Sequence, residues 1–162
     1  MKPARPQTSR SAMDAEERAR LAAAYCRTAY RIRVGGGSFD LRIGQPWALP
    51  EAAGAGNGFA YLTAVNPGSH RLDDDDNASR QAALYAELSA AGFAPLPGVA
   101  VADDGAWPDE PGWLVSGLGA DAALSLARAY GQNAFLVGRP GRAVEMLWCD
   151  VTNSANGDRA AG

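Results

Sequence analysis

The residues of this chain that could recognise or transform a ligand gather around one stretch, Phe59 to Arg80, reading FAYLTAVNPGSHRLDDDDNASR. Asn66 stands before Pro67 at the end of an apolar run, where an amide either bonds back to nearby backbone in a turn or faces a ligand. Asn77 and Arg80 precede Leu84 by seven and four residues, so all three share one face of the helix that the pattern predicts. Leu84 and Leu88 mark that face as inward. An amide and a guanidinium on an inward face need partners, because burying them unmatched is costly. Arg80 either holds an anionic group beside the helix N-terminus or pairs internally with Glu110 or an aspartate, and the need to match an inward charge favours the internal pair.

Asp73 to Asp76 read as a solvated run, with one of them or Asn77 capping the helix. His70 is the only histidine and hence the only histidine base available. The aspartates with His70 offer ligands for a divalent cation, but their unbroken run lacks the alternating spacing of a calcium loop, and no metal is expected. Trp107 and Glu110, in a proline-rich loop, and Gln132 complete the candidate ligand-binding set of Asn66, Asn77, Arg80, Trp107, Glu110 and Gln132. No nucleophile–base–acid set can be assembled. The glycines at 35 to 37 and the word GLGADAALS lack phosphate-loop or dinucleotide spacing.

The elements that must position these residues follow from periodicity. A chain of 162 residues suits one domain with extensions: an arm over 1–13, a domain over 14–150 and a tail over 151–162. A helix from Asp14 carries Leu21, Ala22, Ala24 and Tyr25 on its apolar side. A hairpin follows around Gly35-Gly36-Gly37-Ser38, with Tyr30, Ile32 and Val34 before the turn and Phe39, Leu41 and Ile43 after it. After a loop over 44–58 come a strand over 59–65, a helix over 76–91 and a strand over 95–102. The loop 103–112 leads to a strand over 113–118, a helix over 120–130 and strands over 133–138 and 143–149. Gly92 and Gly131 stand where left-handed helix stops are wanted.

Strand–helix–strand twice over is the ferredoxin-like, split-βαβ order of an α+β fold. An N-terminal helix and hairpin and a C-terminal strand are added to it. Right-handed crossovers then bring Asn66, Trp107, Glu110 and Gln132 to one end of the sheet. The net charge of −3 gives no electrostatic footprint for nucleic acid. The longest apolar runs are too short for a membrane span, and no hydrophobic stretch follows MKPARPQTSR. Cys26 and Cys149 read as free thiols. The expectation is a soluble, cytoplasmic domain.

The words AYLTAVNP, EPGWLVSGL and YGQNAFLVG, with the Asn77 and Arg80 spacing, resemble a small, mostly bacterial family known as domain of unknown function 3293. The resemblance spans Tyr25 to Leu147 and implies one compact domain, with no catalytic residue to carry over. It departs at Gly112, where a serine is expected after Glu-Pro, so a hydroxyl is missing from the corner. Three functions fit the sequence. The first is a binding or regulatory module for a small polar ligand or a protein partner, working at the polar end of the sheet. The second is a hydrolase using His70 or an aspartate-held metal. The third is a structural adaptor with no small-molecule site. No cofactor, nucleic acid or membrane partner is expected, and homodimerisation is left open.

Overall fold

The computed structural model describes residues 13–150; the arm read over 1–13, all but its last residue, and the tail read over 151–162 lie outside the described residues. Helix α1 (Ala15–Cys26) is followed by strands β1 (Thr28–Val34) and β2 (Gly37–Leu41). Strand β3 (Phe59–Leu62) precedes helix α2 (Asp74–Ala90), then β4 (Leu96–Ala102) and β5 (Glu110–Ser116). Helix α3 (Ala120–Ala129), β6 (Ala134–Gly138) and β7 (Glu145–Trp148) follow. The strands form one seven-stranded sheet in the order β2-β1-β4-β5-β3-β6-β7. Every neighbouring pair is antiparallel, which gives an α+β fold. The hairpin and the last strand extend the two edges, as their positions in sequence suggest.

Period-2 alternation in β3 divides the core into two layers. Ala60 and Leu62 pack with Leu84 and Leu88 of α2 and with Ala123 and Ala127 of α3. Phe59 and Tyr61 point to the opposite face, among Tyr30, Ile32, Leu114 and Leu136. The helices stop as the glycines predict: Gly92 (φ 91°) and Gly131 (φ 70°) are left-handed. The amides that follow them bond back to Leu88 and Ala127 at 3.0 and 2.9 Å.

Of the boundaries that differ from expectation, two shape the site. Strand β3 leaves the ladder after Leu62 instead of Val65, because side chains take over its backbone groups. The Ala64 amide donates to Gln81 Oε1 at 3.0 Å, and the Ala64 carbonyl accepts from Arg80 Nε at 2.7 Å. The Val65 carbonyl accepts from Gln132 Nε2 at 3.0 Å, and the Asn66 amide donates to Asn77 Oδ1 at 2.9 Å. The second difference is that β5 begins at Glu110, inside the expected loop, despite Pro111 and Gly112. With β3 gone from that flank, the missing Pro111 N–H breaks no ladder bond, and the Pro111 carbonyl accepts from the Thr63 hydroxyl at 2.7 Å.

Candidate functional site

The inner face of the first turns of α2 is polar, and its side chains fasten the end of β3. Asn66 is the knot. Its backbone is left-handed (φ 46°, ψ 60°), a conformation that Asn tolerates better than most residues. Its Oδ1 accepts from Asn77 Nδ2 at 2.8 Å and from the Leu72 amide at 3.0 Å. Its Nδ2 donates to Glu110 Oε1 at 3.0 Å, and the Trp107 indole N–H donates to the same oxygen. The six candidate residues therefore meet at one end of the sheet. The expected Arg80–Glu110 pair does not form: Arg80 donates to the carbonyls of Ala64 and Tyr130. Backbone carbonyls match the guanidinium's fork as a carboxylate would, and they leave Glu110 to neutral donors.

His70 and Asp73 to Asp76 are exposed and stand apart from this network. Asp73 caps α2 by accepting from the Asp76 amide at 2.7 Å. Among the described residues, no three His, Cys, Asp or Glu side chains come together as a group that could hold a metal ion.

Next to the knot, on the sheet face away from α2 and α3, lies a cleft of about 340 Å³. Its floor includes Tyr30, Tyr61, Ala100 and Leu136, and Glu110 and Trp107 stand at its polar end. Helix α1 forms a wall through Leu21, Ala24 and Tyr25. That use of α1 was not legible in its periodicity: the helix buries no residue fully, and its apolar side lines a hollow. Tyr25 also leans on Trp148, with ring centroids 6.1 Å apart, and Arg18 lies over the same indole at 4.6 Å.

Tyr61 is the residue that sequence reading passed over as one more member of a strand. Its ring lies across β5 and β4 over Gly112 and Gly98, which are paired with each other. A Cβ at position 112 would fall 2.3 Å from the Tyr61 hydroxyl, and one at position 98 would fall 2.7 Å from the ring. The two strand-interior glycines were the available signal, because such glycines mark close approach of another group. The hydroxyl missing from position 112 is thus matched by one reaching over from β3. That hydroxyl is fully buried and has no hydrogen-bond partner among the described residues. Burial, then the neighbouring Tyr30 and Glu110, raise its pKa and hold it neutral.

Burial also raises Tyr30, with Tyr25 and Glu110 adding to the effect. Tyr25 is raised by burial and partly relieved by hydrogen bonds to Ser69 and Asn133. Asn133 Nδ2 in turn donates to the Ser69 hydroxyl at 2.9 Å. The arrangement is a hollow with a carboxylate at one end, three neutral phenols around it and an apolar floor. It can orient a small molecule through a few polar contacts.

No curated protein and no solved structure matches this chain. Residues 62–135, which run from the last residue of β3 into β6 and hold all six candidate residues, match the model of the family described as protein of unknown function (DUF3293), the family that the sequence words resemble.

Proposed function

We propose that this domain binds a small organic ligand in the cleft between α1 and the sheet, at the polar end. The observation that carries the reading is the cleft itself, an apolar floor with the half-buried carboxylate of Glu110 and the Trp107 indole at one end, the combination of an apolar lining with a few polar groups that small-molecule sites share. Strain at the same corner, in left-handed Asn66 and Ser69 (φ 60°), supports it, since such conformations cluster at binding sites. Asn77, Arg80 and Gln132 serve this function indirectly, by holding the β3 end in place. Glu110 and Trp107 face the ligand, over a floor that includes Tyr30 and Tyr61.

The order β4-β5-β3-β6, with α2 and α3 on one face, supports reading the inner strands as a ferredoxin-like, split-βαβ unit. The cleft then occupies the face that this unit leaves without helices, covered here by the added α1. A cytoplasmic setting belongs to the same reading. Unpaired Cys26 and Cys149 support it, and among the described residues no helix is long and apolar enough to cross a membrane.

Thermal unfolding of the full chain against amino acids, nucleosides, organic amines and organic acids tests the reading. One class should raise the melting temperature, because a ligand that binds only the folded state stabilises it by mass action. Ala100→Phe, which fills the cleft between Tyr30 and Glu110, should lose most of that shift. Stabilisation that survives Ala100→Phe undiminished would contradict it.

A further inference from the structure

The cleft's charges point to the kind of ligand. Resting on the binding reading above, we infer that the site takes an organic ammonium ion with an apolar body. Glu110 is half-buried, and none of the ion pairs among the described residues includes it. Its Oε1 accepts two neutral N–H groups, from Asn66 and Trp107, and its second oxygen has no protein donor among the described residues. A half-buried carboxylate with no cationic partner attracts a cation more strongly than one in open water, because its surroundings screen the charge less.

The surroundings suit such a ligand. Tyr30, Ala100 and Glu110 are in register on neighbouring strands, so their side chains share the cleft face. Two strand spacings, roughly 10 Å, separate Tyr30 from Glu110, and the small Ala100 leaves the space between them open. An ammonium needs about 2.8 Å to a carboxylate oxygen and up to about 6 Å to a ring centroid, and the gap accommodates both. Tyr30 and Tyr61 meet edge to face, with centroids 5.4 Å apart, and present ring surface to that gap. Leu136, Met146 and Leu21 are left to cover an apolar body. An anion would meet Glu110 and Asp104, with only Arg27, exposed beside Asp103, to offset them.

The test uses the full chain and three probes of one shape: 2-phenylethylammonium, 2-phenylethanol and 3-phenylpropanoate, titrated by calorimetry at neutral pH. The ammonium should bind at least tenfold more tightly than the alcohol, and the carboxylate most weakly. In Glu110→Gln the ammonium and the alcohol should bind within about threefold of each other, with alcohol affinity kept. Equal binding of ammonium and alcohol by the wild type, or tightest binding of the carboxylate, would overturn the inference and leave the cleft as a ligand site. The wild-type ranking decides this even where Glu110→Gln does not fold. Binding of none of the three would overturn the inference and count against the cleft itself.

Discussion

Removing the Tyr61 hydroxyl should make the unliganded protein more stable. Tyr61→Phe deletes one oxygen and keeps the ring that lies over Gly98 and Gly112 and meets Tyr30. In most cores this change costs stability, because the lost hydroxyl leaves a partner behind. Here the hydroxyl has none among the described residues, so no group there is orphaned by its removal. What is recovered is the desolvation of a hydroxyl, about 1–3 kcal/mol. The oxygen's space becomes a small void that takes back part of this, and a net gain of about 1 kcal/mol is expected. For a domain of this size that is a rise of roughly 3 °C in the melting temperature. Urea and thermal unfolding of both proteins at pH 7, without ligand, measure it. A loss of about 1 kcal/mol or more would refute the reasoning, since it would mean that the hydroxyl already has a partner in the folded protein.

Arg80→Ala leaves the carbonyls of Ala64 and Tyr130 without their donor and should cost about 2–3 kcal/mol in urea unfolding. Arg80→Lys should recover less than half of this, because an ammonium cannot span both acceptors as the planar fork does. Gly112→Ser, which restores the residue expected after Glu-Pro, should destabilise by about 1–3 kcal/mol, because its Cβ would press on the Tyr61 hydroxyl and ring at 2.3 and 2.4 Å. Stability equal to wild type would show that Tyr61 does not occupy that space. Stability should hold up to about pH 9 and then fall. The fold raises the Cys149 thiol from its ordinary 9.0 to about 11 and the Tyr130 phenol from 10.0 to about 12, each chiefly by burial. The folded state therefore keeps these protons while the unfolded chain releases them, and the advantage is lost as pH rises from about 9 to 12. Urea midpoints at pH 8 and 10.5 check this; equal values would contradict it.

The convergence of Asn66, Asn77, Arg80, Trp107, Glu110 and Gln132 was legible because it rests on two robust signals. Helical spacing from Leu84 put Asn77 and Arg80 inward, and the order of elements put the other four at one end of the sheet. The partner of Arg80 was not legible. A buried guanidinium announces a need for acceptors, but backbone carbonyls exist at every residue and leave no mark in sequence. The same effect displaced the end of β3: nothing in AYLTAVNP says that Gln81, Arg80, Asn77 and Gln132 will replace strand neighbours as its hydrogen-bond partners. The cleft was hidden for another reason. An apolar helix side packs on a core or borders a cavity with the same periodicity, so Leu21 and Tyr25 looked like ordinary core contacts. Gly98 and Gly112 held the missing information, and reading them as room for a side chain from the neighbouring strand would have singled out Tyr61.

The cleft itself is tested most directly by mapping where a small amine binds. Backbone amide spectra of the full chain, titrated with 2-phenylethylammonium, should show saturable shifts at Tyr30, Tyr61, Ala100 and Glu110 and along the Leu21 to Tyr25 wall. Residues on the α2 and α3 face, such as Glu87 and Asp121, should stay unmoved. Shifts confined to that far face, or none that saturate at the cleft residues, would contradict the account.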